Sequence, residues 1–250
     1  MASKAELKYL KSLSQKKYRK ENKQFIVEGY RAIKELLNSN QKIEKMWATE
    51  KFLLENSDFK EKINSIDFEL IKTNDLINIL STQSPQHIMA LISIENNDET
   101  ILDKGNALIL DDISDPGNMG TLLRTAVWYG IENIFCSRGC VDIYNPKVVR
   151  SAMGAHFHIK NLYHTNLLDL INRLKKQDSI VIAASLDGSS HKNFKINSNN
   201  WALVLGNEAH GIRKEIIAHV NDKISIPAVG SIESLNVAVA GSIILDRLIN

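Results

Sequence analysis

The stretch "ALILDDISDPGNMGTLLRTAVWYG", residues 107–130, decides the fold class. Its first four residues are apolar, too short a run for a buried helix, and end against polar turn residues, so 107–110 reads as a strand. The polar loop that follows leads into an apolar helical pattern over 119–130, with Gly130 placed to end the helix as its C′ residue. Asn118 has the chemistry of a helix cap, and Asp115-Pro116-Gly117 that of a turn. A strand without a polar face that feeds a helix belongs to a parallel sheet covered on both sides. Ligands of such sheets bind outside the carboxyl ends of the strands, where this loop lies.

The same rhythm recurs through the second half. Strands are expected at 131–137, 179–185, 200–206 and 222–227, and helices at 145–153, 166–177 and 234–250, the last opening on Ser234. The first half reads as a smaller α/β unit. It has strands at 23–29, 43–50, 68–73 and 87–94, and helices at 30–39 and 74–82, the second capped by Asn74. Between the halves, "NNDETILDKGN" (96–106) lacks helical or strand periodicity and reads as a linker. The expected organisation is therefore an α/β domain over 1–95, a linker over 96–106 and a second α/β domain over 107–250.

Of the 250 residues, 44% are hydrophobic and 24% charged, enough for real cores. No apolar run approaches the ~20 residues of a membrane helix. The opening "MASKAELKYLKSLSQ" has no secretory h-region, and Cys136 and Cys140 are too few for a disulfide framework, so a cytoplasmic protein is expected. The net charge of +2 hides a basic N-terminal cluster. Lys16, Lys17, Arg19 and Lys20 lie within it, interleaved with Tyr9 and Tyr18, and opposed only by Glu6 and Glu21. Such a cluster is either a solvated helix face or a polyanion footprint that binds phosphates with release of counterions.

Three strands run into loops rich in Gly, Pro, Asn and acid: 111–126, "GNEAHG" (206–211) and "PAVGSIESLN" (227–236). Singly, each has a turn or cap reading. Arg124 is harder to absorb, because it lies on an otherwise apolar stretch of helix six residues past Asn118. Together with Glu208, Asn118, Ser234 and Asn236 it would suit a phosphorylated or polyhydroxylated ligand. The chain has no GxGxxG, no GxxxxGK[ST] and no GxSxG. The spacings of Cys136, Cys140, His156 and His158 are poor for zinc, no metal is expected, and "HFH" (156–158) reads as a strand with alternating faces.

Read in order, the three loops resemble the motifs of the SpoU (TrmH-type) branch of the SPOUT RNA methyltransferases. Asp111, Asp115, Pro116, Asn118, Gly120, Arg124 and Ala126 match the first motif. Gly206, Glu208 and Gly211 match the second. Ile226, Pro227, Gly230, Ser234, Leu235, Asn236, Val237 and Ala240 match the third. The first half resembles the α/β RNA-binding domain that many members carry, itself similar to certain ribosomal RNA-binding proteins, through "FIVEGYRAIKELL" and "STQSPQHIMAL".

The resemblance implies methylation of a ribose 2′-hydroxyl in RNA, with S-adenosylmethionine as cofactor. It also implies a deep trefoil knot at the end of the catalytic domain, and a homodimer. It places the cofactor against Gly206, Asn207, Ile226 and Leu235, with Leu186 of "SLDG" (185–188) lining the same pocket. Arg124, Asn118, Glu208, Ser234 and Asn236 are then the catalytic set, and Arg124 also faces the RNA with Lys16, Lys17, Arg19 and Lys20. The RNA is expected to be 23S rRNA. The alternatives are a tRNA enzyme, a small-molecule enzyme using the same crevice, or a non-catalytic RNA-binding or ribosome-associated protein on the same fold.

Overall fold

In the first half, one strand organises the packing. The computed structural model describes residues 2–59, 63, 66–80, 82, 85–95 and 105–250. Strand β4 (Ile88–Ser93) lies between β1 (Gln24–Glu28) and β2 (Ile43–Ala48), antiparallel to both. Strand β3 (Phe68–Leu70) adds parallel to β2, giving the order β1-β4-β2-β3. Alternate residues of a strand face opposite sides, and here both sides are covered. Phe25, Val27, Met46, Ala48, Ile88, Ala90 and Ile92 pack with Ile33 and Leu36 of α3 (Tyr30–Leu37) and Phe52 of α4 (Glu50–Glu55). Trp47, Met89 and Leu91 face the other way, onto Leu10 of α1 (Lys4–Ser12) and Leu76 and Ile79 of α5 (Thr73–Leu80). Each fully buried Leu or Ile contributes roughly 1.5–3 kcal/mol. Lys45 fastens α1 to this sheet, its Nζ lying 2.8 Å from Glu6 and 2.7 Å from Glu69. Helix α5 begins at Thr73, so Asn74 is inside it rather than its cap.

The chain forms two compact units, and the first is discontinuous: Met1–Asn96 with Asp142–Phe157. The sequence reading placed 142–157 in the second half. The reason for the difference is packing. Tyr144, Val149 and Phe157 complete the α3 face of the first core, Val149 from α7 (Pro146–Ala152). Asp142 also receives an ion pair from Arg19 of α2 (Lys16–Asn22), with Nε at 3.1 Å and Nη2 at 2.5 Å from Oδ2. The Arg19 side chain is only 4% exposed, and its Nη1 donates to the carbonyls of Leu13 and Ser14 at 2.7 and 2.8 Å. The "HFH" stretch is a 3₁₀ turn (Ala155–His158) rather than a strand. His156 is buried beside Phe25 and Tyr144, and burial pushes its pKa down to about 4. Of the expected linker, residues 96–104 lie outside the described residues.

The second unit, Asn97–Val141 with His158–Asn250, holds a sheet of six parallel strands. These are β5 (Ala107–Leu110), β6 (Asn133–Cys136), β7 (Asn161–His164), β8 (Ile180–Ser190), β9 (Trp201–Leu205) and β10 (Asp222–Ser225), in the order β10-β8-β9-β5-β6-β7. Every residue of β5, β6 and β9 is buried, as an internal parallel sheet requires. On one face Ile109, Phe135, Val181 and Val204 pack under α8 (Leu167–Lys176) through Leu170, Ile171 and Leu174. On the other, α6 (Pro116–Trp128) packs beside the final helix α10 (Val237–Ile249). The short α9 (Lys214–Ile217) precedes β10.

The pairing of β8 with β10 is broken. Ile182 and Ala183 oppose Asp222 and Lys223, but the next two residues of β10, Ile224 and Ser225, oppose Ser189 and Ser190. Residues 184–188 are therefore skipped by the pairing register with β10 and form an excursion at the end of the sheet.

Removal of one partner of a buried ion pair strands the other charge, at a cost of about 3 kcal/mol. Asp142→Ala should therefore lower the unfolding free energy of the first unit by about that amount in a urea titration. Lys147→Ala, on an exposed position of the same segment, should change it by less than about 0.5 kcal/mol.

Candidate active site

The site is built where β5, β8, β9 and β10 end. At the end of β5, Asp111 is fully buried. Its carboxylate accepts from the backbone N–H of Arg213 at 3.0 Å and from Nε at 2.9 Å, and lies 2.7 Å from Nη2. Arg213 sits just beyond the 206–211 loop, so this fork fastens the loop after β9 to the loop after β5. Asp111 opposite also draws the guanidinium pKa up from its ordinary value. A second bond joins the same two loops, from Asn207 Nδ2 to the Asp112 carbonyl at 2.8 Å.

Glu208 reinforces the junction. Its carboxylate accepts from Asn118 Nδ2 at 3.0 Å, from the Asp115 amide at 3.4 Å and from the Ser114 hydroxyl at 3.3 Å. Partial burial would raise its pKa, but the donors from Asn118, its own amide, Ser114 and Asp115 prevail and hold the carboxyl below its usual value. The other end of the Asn118 amide accepts from Asn236 Nδ2 at 2.9 Å. Asn236 in turn caps α10, its Oδ1 accepting from the amides of Ala238 at 2.9 Å and Val239 at 3.3 Å. Glu208, Asn118 and Asn236 thus join the three polar loops in one hydrogen-bonded line.

Two caps differ from the sequence reading. Asp115, not Asn118, caps α6, accepting from the Asn118 amide at 2.8 Å. Asn236, not Ser234, starts α10, because its shorter chain distance to the first amides lets Oδ1 reach two of them. Ser234 remains in the exposed loop before the helix.

A cavity of about 560 Å³ opens beside this line. Leu186, Gly206, Asn207, Ile226 and Leu235 all line it, as do Glu208 and Ser234. Gly206 is obligatory for a close-packing reason. A Cβ there would lie 2.3 Å from the backbone of Gly211 and Ile212, because Asn207 and Gly211 exchange both backbone hydrogen bonds at the mouth of the loop. The excursion 184–188 forms another wall, stapled by Asp187 to Lys223 Nζ at 2.7 Å and to the Ser185 hydroxyl at 2.5 Å. Lys223 and then Ser185 hold the Asp187 carboxyl below its ordinary value. Leu186 and Leu235 are 77% and 50% exposed there, apolar side chains that a ligand would cover.

Sequence reasoning missed Arg213 and Asp187. Arg213 follows the second loop directly and could have been sought as the partner of the acid-rich first loop. Asp187 lay within the quoted "SLDG" without a role. Arg124 is on the exposed side of α6, outside the cavity lining. In the first unit, Lys16, Lys17 and Lys20 are exposed. Arg19 is a correction: its guanidinium is buried and committed to Asp142, so it is not available to RNA. Among the described residues no three His, Cys, Asp or Glu side chains are grouped to hold a metal.

Comparison with known proteins shows the family of both halves. Residues 105–246 match the SpoU rRNA Methylase family and residues 4–90 the MRM3-like substrate binding domain. The 23S rRNA (guanosine(2553)-2′-O)-methyltransferase of Bacillus subtilis is 29% identical over 99% of this chain and 97% of its own length. Among solved structures, a TrmH-family protein from Porphyromonas gingivalis is 32% identical, with 99% of this chain and 98% of that one covered and a TM-score of 0.85. An rRNA methyltransferase from Sinorhizobium meliloti, solved with S-adenosylmethionine bound, is 26% identical, with 99% and 95% covered and a TM-score of 0.84. With its second unit matched almost from end to end, this chain belongs to the SpoU rRNA methylase family.

Proposed function

We propose that the protein is an S-adenosylmethionine-dependent methyltransferase that modifies a ribose 2′-hydroxyl of 23S rRNA. The observation that carries this reading is the cavity of about 560 Å³ opening beside the Glu208–Asn118–Asn236 line. Its size falls within the roughly 300–1,000 Å³ of small-molecule sites. Its lining suits this cofactor in three respects. Leu186, Ile226 and Leu235 offer apolar cover for a purine. The Gly206–Asn207 backbone comes close because no side chain intervenes. Asp187, Glu208 and Glu233 supply carboxylates for a ligand that carries two positive groups. When bound, S-adenosylmethionine supplies a methyl group on a positively charged sulfur.

The chain's own task is to hold an oxygen in line with that methyl and to ease loss of the hydroxyl proton. Arg124 stays charged, because a guanidinium does not give up its proton in a protein. Its role is to hold a phosphate next to the target ribose and lower the hydroxyl pKa electrostatically. Asn118 is held at both ends, by Glu208 and Asn236, so its amide is oriented before substrate arrives. Ser234 lines the cavity, and in this reading it would meet the ribose. Lys16, Lys17 and Lys20 of the first unit would hold more distant phosphates.

The finer features of the reading are a homodimer, a trefoil knot and action in the cytoplasm on ribosomal RNA. Trp128 at the end of α6 is 84% exposed and Val239 near the start of the adjacent α10 is 49% exposed, two apolar side chains left open on neighbouring helices and suited to cover by a second copy. Arg247 of α10 donates to the carbonyls of His191 and Phe194, which ties the last helix to the chain that leaves β8. No helix among the described residues is long and apolar enough to cross a membrane.

Labelled S-adenosylmethionine with total RNA should give label in 23S rRNA as 2′-O-methyl nucleotides. Arg124→Lys should reduce kcat about a hundredfold while cofactor affinity holds; a near-normal rate would remove bidentate phosphate holding from the mechanism. Trp128→Glu should shift the protein from dimer to monomer in sedimentation equilibrium, and a wild-type monomer would refute the dimer. Because the Glu208 carboxyl is held below its ordinary value, its stabilising effect is full above that value and disappears as pH falls through the folded one. The melting-temperature gap between wild type and Glu208→Gln should accordingly be largest above about pH 5 and shrink as pH falls below the ordinary carboxyl value.

A further inference from the structure

The strand order sets the ends of the sheet side by side. The cavity lies over the ends of β10, β8 and β9, and the loop with Asp115 and Asn118 follows β5. The next strand along is β6, and beyond its end stands Arg138. A ribose held at the Asn118 loop would have the cofactor cavity on one side and β6 on the other, which leaves the end of β6 open to the RNA backbone.

The turn that carries Arg138 is fixed to the catalytic loop. The Ser137 hydroxyl donates to Asp112 Oδ1 at 2.5 Å and accepts from the Asp112 amide at 2.9 Å. The Val141 amide donates to the Ile113 carbonyl at 2.9 Å, and the Cys140 amide closes the turn on the Ser137 carbonyl at 3.2 Å. Gly139 lies so close to Asp112 that a Cβ would stand 2.2 Å from its carboxylate. The backbone on both sides of Arg138 is thereby held, while its side chain is exposed and, among the described residues, makes no hydrogen bond or ion pair.

Charge gives this arrangement a purpose. Asp112 and Asp115 lie in the loop after β5 and Glu208 and Glu233 line the cavity, while Arg213 is spent on Asp111 and Lys223 on Asp187. A polyanion approaching these carboxylates needs an uncommitted cation. We infer that Arg138 binds a backbone phosphate of the RNA on the side of the target ribose away from the cofactor cavity. The inference rests on the RNA methyltransferase reading and adds a substrate contact to it.

The test compares wild type with Arg138→Ala and Arg138→Lys. For the alanine variant, KM for rRNA should rise about tenfold at physiological salt with kcat within about twofold. The slope of log Kd for RNA against log salt should become shallower by about one, and lysine should restore most of both effects. Cofactor affinity and melting temperature should not move. An unchanged KM and salt slope would overturn the inference, as would a fall in melting temperature or cofactor affinity, which would make Arg138 structural. If wild type labels no RNA, the methyltransferase reading fails by itself, and the salt titration of RNA binding still decides whether Arg138 holds a phosphate.

Discussion

A carboxylate with no exposed surface, Asp111, stands at the end of β5, and the Arg213 fork is what makes it tolerable there. An unpaired charge at such a depth costs several kcal/mol, so the loop bearing Arg213 has little freedom to leave. Everything nearer the reaction inherits its position from this pair. Asn207 reaches the Asp112 carbonyl, Glu208 reaches Asn118, and Gly206 must lack a side chain because the returning backbone lies against it. The ion pair lies outside the cavity lining, yet it sets the distance between the loop after β9 and the loop after β5.

From that anchor the site is assembled largely with neutral amides. Asn118 accepts from one neighbour and donates to another, and Asn236 does the same while capping a helix. An amide can bond in both directions without a change of charge, so the line from Glu208 to α10 has one fixed polarity. Glu208, kept ionised by its donors, decides that polarity. A site organised this way orients substrate through dipoles already in place, which is the form of assistance that demands least rearrangement during reaction.

Much of this was legible in the amino-acid order, for identifiable reasons. The strand at 107–110 is apolar throughout and ends on two aspartates, so its limits were read as found. The five residues expected against the cofactor do line one cavity: Gly206, Asn207 and Ile226 sit within two residues of a strand end, Leu186 in the excursion beside them, and Leu235 just before the final helix. What escaped the reading depends on long-range partners or on competition between equals. Arg19 looks like its lysine neighbours until Asp142, 123 residues away, is brought against it. Ser234 and Asn236 can both cap a helix, and only the backbone path decides which one reaches the free amides. Periodicity likewise cannot show that β10 skips five residues of β8, since every residue there remains locally extended.

The discontinuity of the first unit bears on how the chain is made. A ribosome has finished every strand of the first sheet by residue 93, yet that core still lacks Tyr144, Val149 and Phe157, and Arg19 still lacks its carboxylate. Completion waits until the intervening residues, with β5, α6 and β6 of the second unit, have been synthesised. Maturation of the amino-terminal unit is thereby tied to synthesis of the second, and a fragment ending at 96 would carry an unfilled core face with a stranded guanidinium.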